Sequence, residues 1–318
     1  MRRAFLKRLV ALASWRLATA IEFAPAPMAN LIPGGQAAAA GVDDDEVGLE
    51  PIGATESGPF ELPAGARLER DLAYGNDPLQ RLDVYHPATA SAAPLIFMVH
   101  GGGWTRGNKA LWRVVKNKVL HWVGKGYILV STNYRMAPAA DPLTQADDVA
   151  KALAFVQSRL GSWGGDPSRV VIMGHSSGAH LVALLTADPS IGARQGAAPW
   201  LATVALDSAA MNVDQLMRRH HLGLYDAVFK DDTAYWRQAS PTLRLTGKPA
   251  APMLTVCSTR RLDACPQARA FASKAAQFGG HVDVLPVDLS HPEINAFLGT
   301  AGAYTNAVDA FLKSVGLH

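Results

Sequence analysis

Val170-Val171-Ile172-Met173 runs straight into Gly174-His175-Ser176-Ser177-Gly178, and Ala179-His180-Leu181-Val182-Ala183-Leu184-Leu185 follows. Four continuous apolar residues rich in β-branching read as a strand buried on both faces, and the Ala/Leu run behind the second glycine reads as a helix. Between them the chain must reverse within five residues, which the flanking glycines allow because they carry no Cβ. The serine at the tip of such a turn is held out in front of the sheet, and the free N–H groups of the helix start point toward it. A Gly/Ser turn alone is an ordinary connection. With this strand before it and this helix behind it, Ser176 is a candidate nucleophile.

The same alternation extends in both directions. Leu95–Val99, Tyr127–Ser131, Leu201–Leu206, Met253–Val256 and Val282–Val287 have strand length and are mostly continuous apolar runs. Helical patterns lie between them at Ala110–Gly124, Leu143–Leu160, Ser177–Ala187, Pro266–Phe278 and Tyr304–Val315. A βαβα order of this kind implies an α/β fold with a mostly parallel sheet and helices on both faces. Arg67–Tyr74 and Leu79–Tyr85, separated by Gly75-Asn76-Asp77-Pro78, predict an antiparallel hairpin at its edge. The alternation fails only from Ser208 to Pro252, which is expected to form a small cap and to shape a pocket with Met211, Tyr225 and Trp236.

A second glycine run sits where the strand ending at Val99 stops: His100-Gly101-Gly102-Gly103-Trp104. Backbone N–H groups exposed there can stabilise a developing oxyanion, and the expected donors are Gly102, Gly103 and Ser177, with Trp104 as a substitute. A phosphate-binding loop is excluded, since neither G-x-G-x-x-G nor G-x-x-x-x-G-K-[ST] can be completed and Arg106 stands where the last glycine would be. His100 precedes the serine and is expected to brace the loop.

A serine nucleophile needs a base, and the base needs a carboxylate to fix its tautomer. His291, in Leu289-Ser290-His291-Pro292-Glu293 after the last strand, is the late histidine on a suitable loop; His281 opens a strand and His318 is terminal. Asp263, 28 residues before it and on the loop after Met253–Val256, is the expected acid. Asp207, after the preceding strand, is the runner-up, and Asp288 is expected to brace its own turn. His180, four residues beyond Ser176, is expected to pack beneath the turn. His220 and His221 read as an exposed polar pair that could also line the pocket. No H-E-x-x-H or C-x-x-C occurs, so neither a metal nor any other cofactor is implied.

The chain has 318 residues, 49% of them hydrophobic, enough to build one large core. Its formal net charge of +3 is misleading: residues 1–40 carry Arg2, Arg3, Lys7, Arg8 and Arg16 against Glu22, a local +4 that leaves −1 for the rest. No later basic cluster interleaved with aromatics suggests a nucleic-acid partner. Arg2-Arg3-Ala4-Phe5-Leu6-Lys7, a short apolar stretch and a small-residue end at Ala38-Ala39-Ala40 have the parts of a twin-arginine export signal, implying a periplasmic or secreted protein. No apolar run of spanning length occurs. Residues 41–61, with Asp43-Asp44-Asp45-Glu46, read as an acidic linker, and residues 62–318 as one domain. The two cysteines, Cys257 and Cys265, bracket the loop of Asp263 and would pair in an oxidising compartment. Oligomeric state is left open.

Taken together, these stretches resemble α/β-hydrolase esterases of the hormone-sensitive-lipase and acetyl-xylan/feruloyl-esterase groups, with bacterial kynurenine formamidases as close relatives. The resemblance rests on Arg81-Leu82-Asp83-Val84-Tyr85, His100 to Trp104, Asn133-Tyr134-Arg135-Met136-Ala137-Pro138, Gly164-Gly165-Asp166-Pro167, Gly174 to His180 and the Asp263 and His291 regions. It implies hydrolysis of a small-molecule ester through an acyl-enzyme, with Ser176, His291 and Asp263 as the triad and Trp104, Met136, His175 and Met211 as candidate pocket residues. Arg135 and Asp166 are expected to brace loops. Two departures stand out. Gly-His-Ser-Ser-Gly replaces the usual Gly-Asp-Ser-Ala-Gly of the lipase-like group, and the acid loop reads Arg260-Arg261-Leu262-Asp263 where relatives often have Gly-x-x-Asp. An amidase acting on N-formylkynurenine and a ligand-binding protein without turnover are the rival readings.

Overall fold

The structure, a computed structural model, describes residues 60–317. The expected export signal lies outside the described residues, as does all of the linker up to residue 59. Eight strands form one sheet: β1 (Arg67–Ala73), β2 (Arg81–His86), β3 (Ala93–Val99), β4 (Ile128–Thr132), β5 (Gly165–His175), β6 (Ala202–Leu206), β7 (Met253–Ser258) and β8 (Val282–Val287), in the order β1-β2-β4-β3-β5-β6-β7-β8. β2 runs antiparallel to β1 and β4, and every later pairing is parallel. The predicted hairpin and parallel sheet are therefore both present.

β3, β4 and β6 are buried along their whole length, the behaviour expected of continuous apolar strands in a sheet covered on both faces. Alternate side chains supply two cores. Leu95, Phe97 and Val99 of β3 join Val170 and Ile172 of β5 on one face, under α2 (Pro142–Arg159) and α3 (Ser177–Ala187). Ile96, Met98, Val171 and Met173 point the other way, into α1 (Trp112–Trp122), α10 (His291–Phe297) and α11 (Ala303–Ser314). Each fully buried side chain of this size stabilises the fold by about 1.5–3 kcal/mol before entropy is counted. α3 is buried all round, because Ala179 and Ala183 on its far side meet Phe271 and Ala275 of α9 (Ala264–Gln277). α4 (Pro189–Arg194) follows α3 directly.

The segment from Ser208 to Pro252 holds four short helices, α5 (Val213–Met217), α6 (Gly223–Phe229), α7 (Thr233–Gln238) and α8 (Pro241–Arg244). Asn212 and Asp232 cap two of them through their side chains. A parallel sheet with this strand order opens its loops at the carboxyl ends of the strands, and the glycine motifs and candidate triad residues all fall there.

Candidate active site

Ser176 stands between β5 and α3 with φ 55° and ψ −120°, a conformation costly for any residue with a Cβ. Its surroundings impose it. The Ser176 N–H donates to the Leu206 carbonyl at 3.0 Å. A Cβ on Gly174 would lie 2.3 Å from the Gly178 carbonyl oxygen, and one on Gly178 would lie 2.4 Å from that of Val99. Both glycines are thus required by close backbone packing around the turn.

His291 opens α10, where Ser290 and Glu293 form a capping box and the Glu293 carboxylate accepts from the Ser290 N–H at 2.8 Å. This fixes the helix start and with it the imidazole. Nε2 lies 2.9 Å from Ser176 Oγ, and Nδ1 lies 2.6 Å from Asp207 Oδ2. Asp207 leaves β6 at φ 55°, its N–H donating to Val256 O at 2.8 Å and its Oδ1 accepting from the Ser258 N–H at 2.8 Å. The Arg261 guanidinium donates to Oδ2 at 2.8 Å. Burial opposes ionisation of this carboxyl, but the bond with His291, the Arg261 charge and the Ser258 N–H together hold it well below the usual carboxylate range.

The expected acid, Asp263, is therefore corrected to Asp207. Asp263 stands just before α9, makes no side-chain capping bond and pairs with Arg219 at 2.5 Å. The loop after β7 fills the space beside His291 with Arg261, and the carboxylate arrives from the end of β6. Asp288 is held by Arg260 at 2.8 Å.

Gly101, Gly102, Gly103 and Trp104 line the pocket that holds Ser176, and a Cβ on Gly101 would lie 2.8 Å from that of Ser176. Gly102 has φ 132°, and a Cβ there would lie 2.0 Å from Arg106 O, so the loop can close only on glycine. Gly102, Gly103 and Ser177 border the same pocket as Ser176. His100 is fully buried beneath this loop, its Nδ1–H donating to Gly101 O at 2.8 Å. Burial pushes it down to about 4, so it stays neutral and braces the turn. His180 behaves likewise, pushed by burial to about 4: Nδ1 accepts from Trp104 Nε1–H at 3.1 Å and Nε2–H donates to Ala239 O at 2.7 Å. It ties the glycine loop to the cap.

Of the candidate pocket residues, Trp104 and His175 line the cavity with Ser176, while Met136 and Met211 do not. Met211 is 1% exposed and packs with Ala179 and Phe271, and Met136 packs on the core under α2. The cap reaches the pocket through Leu222, Leu224 and Tyr225 of the α6 region, and Trp236 is buried behind them. His175 Nε2–H donates to His291 O at 2.9 Å, bracing the histidine loop. Burial, with the His291 ring beside it, drives His175 well below the ordinary histidine range. His221 pairs with Asp226 at 2.9 Å and does not line the pocket. Arg135 clamps Asp148 through two bonds of 2.8 and 2.7 Å, and Asp166 turns its loop through Ser168. Cys257 and Cys265 form a disulfide. Sequence reasoning passed over Arg261 and the pocket residues Leu222 and Leu224, because an arginine pair on a loop carries no mark of the carboxylate it will meet. Among the described residues, no group of three or more His, Cys, Asp or Glu side chains could hold a metal, and no helix is long and apolar enough to cross a membrane.

Residues 82–193 match the family model described as BD-FAE. A probable isoprenylcysteine alpha-carbonyl methylesterase of Arabidopsis thaliana is 29% identical over 190 residues, 57% of this chain and 44% of that protein. The probable carboxylic ester hydrolase LipM of Mycobacterium tuberculosis is 33% identical over 135 residues, 39% of this chain and 31% of that protein. The matches thus span less than half the length of these curated relatives. Among solved structures, esterase B from Lactobacillus rhamnosis superposes with a TM-score of 0.66 at 18% identity, covering 81% of this chain and 87% of that one. Esterase 2 of Thermogutta terrifontis gives 0.64 at 21% identity, covering 81% and 97%. The chain is an α/β-hydrolase by fold, and it resembles the esterases of the hormone-sensitive-lipase-like group.

Proposed function

We propose that this protein is a serine hydrolase that cleaves carboxylic esters through an acyl-enzyme. The observation that carries the reading is the continuous path from Ser176 Oγ to His291 Nε2 at 2.9 Å and from His291 Nδ1 to Asp207 at 2.6 Å. Asp207 accepts the Nδ1–H and so leaves the Nε2 lone pair toward the serine. As Ser176 attacks the ester carbonyl, Nε2 takes its proton, and the N–H groups of Gly102, Gly103 and Ser177 receive the oxyanion. Nε2–H then protonates the departing alkoxide, and water, deprotonated by the same imidazole, releases the acid. A single lost oxyanion donor typically costs about 3 kcal/mol of transition-state stabilisation, so the glycine loop belongs to the machinery.

The proposed substrates are short-chain acyl, acetyl or feruloyl esters, and the relatives described as a carboxylic ester hydrolase and an esterase support the ester bond. Ser176→Ala should abolish hydrolysis of p-nitrophenyl acetate while the far-UV spectrum is unchanged. Activity persisting in that variant would end the proposal. We also propose export on the twin-arginine-like N-terminus and the Cys257–Cys265 pair. Recovery of the unprocessed chain solely from the cytoplasm of a native host would contradict it.

A further inference from the structure

Arg261 stands where no triad member needs a cation. Its side chain is 7% exposed, and Nη1 lies 2.8 Å from Asp207 Oδ2 and 3.1 Å from His291 Nδ1. Nδ1 must carry a proton to bond Asp207, and a guanidinium can only donate. The guanidinium and the imidazole N–H therefore share one acceptor, Oδ2, from two sides. The guanidinium's contact with Nδ1 is a repulsive one between two donors. The loop that delivers Arg261 is held by the disulfide between Cys257 and Cys265, by Arg260 on Asp288 and by Ser258 Oγ donating to Leu289 O at 2.6 Å. A permanent charge has thus been fixed within hydrogen-bond distance of the base.

Resting on the hydrolase reading above, we propose that Arg261 is a positioning residue that sets the working pH of the triad: it holds the Asp207 carboxylate in place while its charge disfavours protonation of His291. Two consequences oppose each other and can be separated. As a counter-charge, Arg261 lets a carboxylate with a completely buried side chain remain ionised without drawing a proton onto the imidazole. As a cation beside Nδ1, it raises the cost of the imidazolium. Other charged and titratable groups surround the ring, but Arg261 is the cation in contact with Nδ1. Asp207, from β6, attracts the proton, and His175, from β5, is neutral. Glu293, on the same helix, is taken up by Ser290 N–H and Arg260. Lys118 of α1 donates to Asn295 at 2.6 and 2.8 Å, and complete burial pushes its ammonium down to about 7; Arg106 and Arg113 line the same cavity, and Tyr304 of α11 donates to Ile294 O at 2.9 Å.

The test uses the full chain with Arg261→Gln, Arg261→Met and Arg261→Lys. The rate of phosphonylation by an uncharged p-nitrophenyl phosphonate and kcat and KM for p-nitrophenyl acetate are followed from acid to alkaline pH. In Arg261→Gln and Arg261→Met, the acid limb of both profiles should move upward by about one pH unit or more, with KM changed less than about twofold. Arg261→Lys, which keeps the charge, should hold the limb near the wild-type position. An unmoved limb in Gln and Met variants of wild-type fold would overturn the proposal, as would an equal shift in Arg261→Lys. If neither neutral variant accumulates folded, Arg261→Lys decides alone, because a displaced limb there refutes the role of charge. Reaction at a residue other than Ser176 would instead defeat the hydrolase reading on which this inference rests.

Discussion

Replacing Asp207 by Asn removes one charge at a site where three donors converge. Oδ2 receives the His291 Nδ1–H at 2.6 Å and the Arg261 guanidinium at 2.8 Å, and Oδ1 receives the Ser258 N–H at 2.8 Å. An amide has one acceptor oxygen and one NH2, so either orientation turns a donor on a donor. If the oxygen stays on Ser258, the NH2 faces Nδ1 and forces the proton onto Nε2, the tautomer that cannot accept from Ser176. By the precedent of a triad acid replaced by its amide, kcat should fall about 10⁴-fold, or about 5.5 kcal/mol of transition-state stabilisation. Arg261 also loses its carboxylate in a buried setting, so stability should fall by about 3 kcal/mol. Asp263→Asn, by contrast, breaks an exposed pair with Arg219 and should change kcat less than about twofold. The assay is p-nitrophenyl acetate turnover at pH 8, with near-UV circular dichroism confirming that each variant is folded. A crippled Asp263→Asn beside a competent Asp207→Asn would refute the reasoning outright.

Other outcomes follow from the same contacts. His100 and His180 are fully buried and held neutral at about 4, so each folded site binds no proton between pH 6.5 and 4 while the unfolded chain does. Stability should therefore be complete above pH 6.5 and fall as pH drops toward 4. At about 1.4 kcal/mol per pH unit, the loss is on the order of 3 kcal/mol per histidine. A melting temperature flat across that window would contradict the assignment. Gly178→Ala drives a Cβ against the Val99 and His100 carbonyl oxygens at 2.4 and 2.5 Å, and should cost a few kcal/mol in chemical denaturation while misplacing Ser176. Opening the disulfide with Cys257→Ser and Cys265→Ser frees a loop whose ends are 8 residues apart, and should lower unfolding free energy by about 2.5 kcal/mol. Unchanged denaturation midpoints would show that the crosslink adds nothing.

The sheet was legible because β3, β4, β6, β7 and the Val170–Met173 part of β5 are built on continuous apolar runs, a pattern that two-sided burial explains. Ser176 and the oxyanion loop were legible for a sharper reason: Gly174, Gly178 and Gly102 sit where a Cβ would strike backbone, so the pattern is dictated by sterics. His291 followed from its place after the last strand. The acid did not, because Asp207 and Asp263 both follow strands, and loop paths through space decide which carboxylate reaches Nδ1. Composition separates the two only in retrospect. Asp207 follows the apolar strand Ala202–Leu206 without a spacer, whereas Asp263 stands behind two arginines, of which Arg261 takes the position beside the histidine. Met136 and Met211 misled for a different reason: a flexible apolar side chain fills core gaps as readily as it lines a pocket. The cap was recognised only as a break in the βα alternation, since helices as short as α5 to α8 offer too few turns for a periodic signal.

The account turns on Ser176 as the nucleophile. Peptide mapping by mass spectrometry after exposure to a fluorophosphonate, run in parallel with ester turnover, tests this directly. A single phosphonyl adduct on the peptide bearing Ser176 is expected, with activity lost in proportion to labelling and neither adduct nor turnover in Ser176→Ala. Full labelling at another residue, or turnover that survives complete modification of Ser176, would contradict the account.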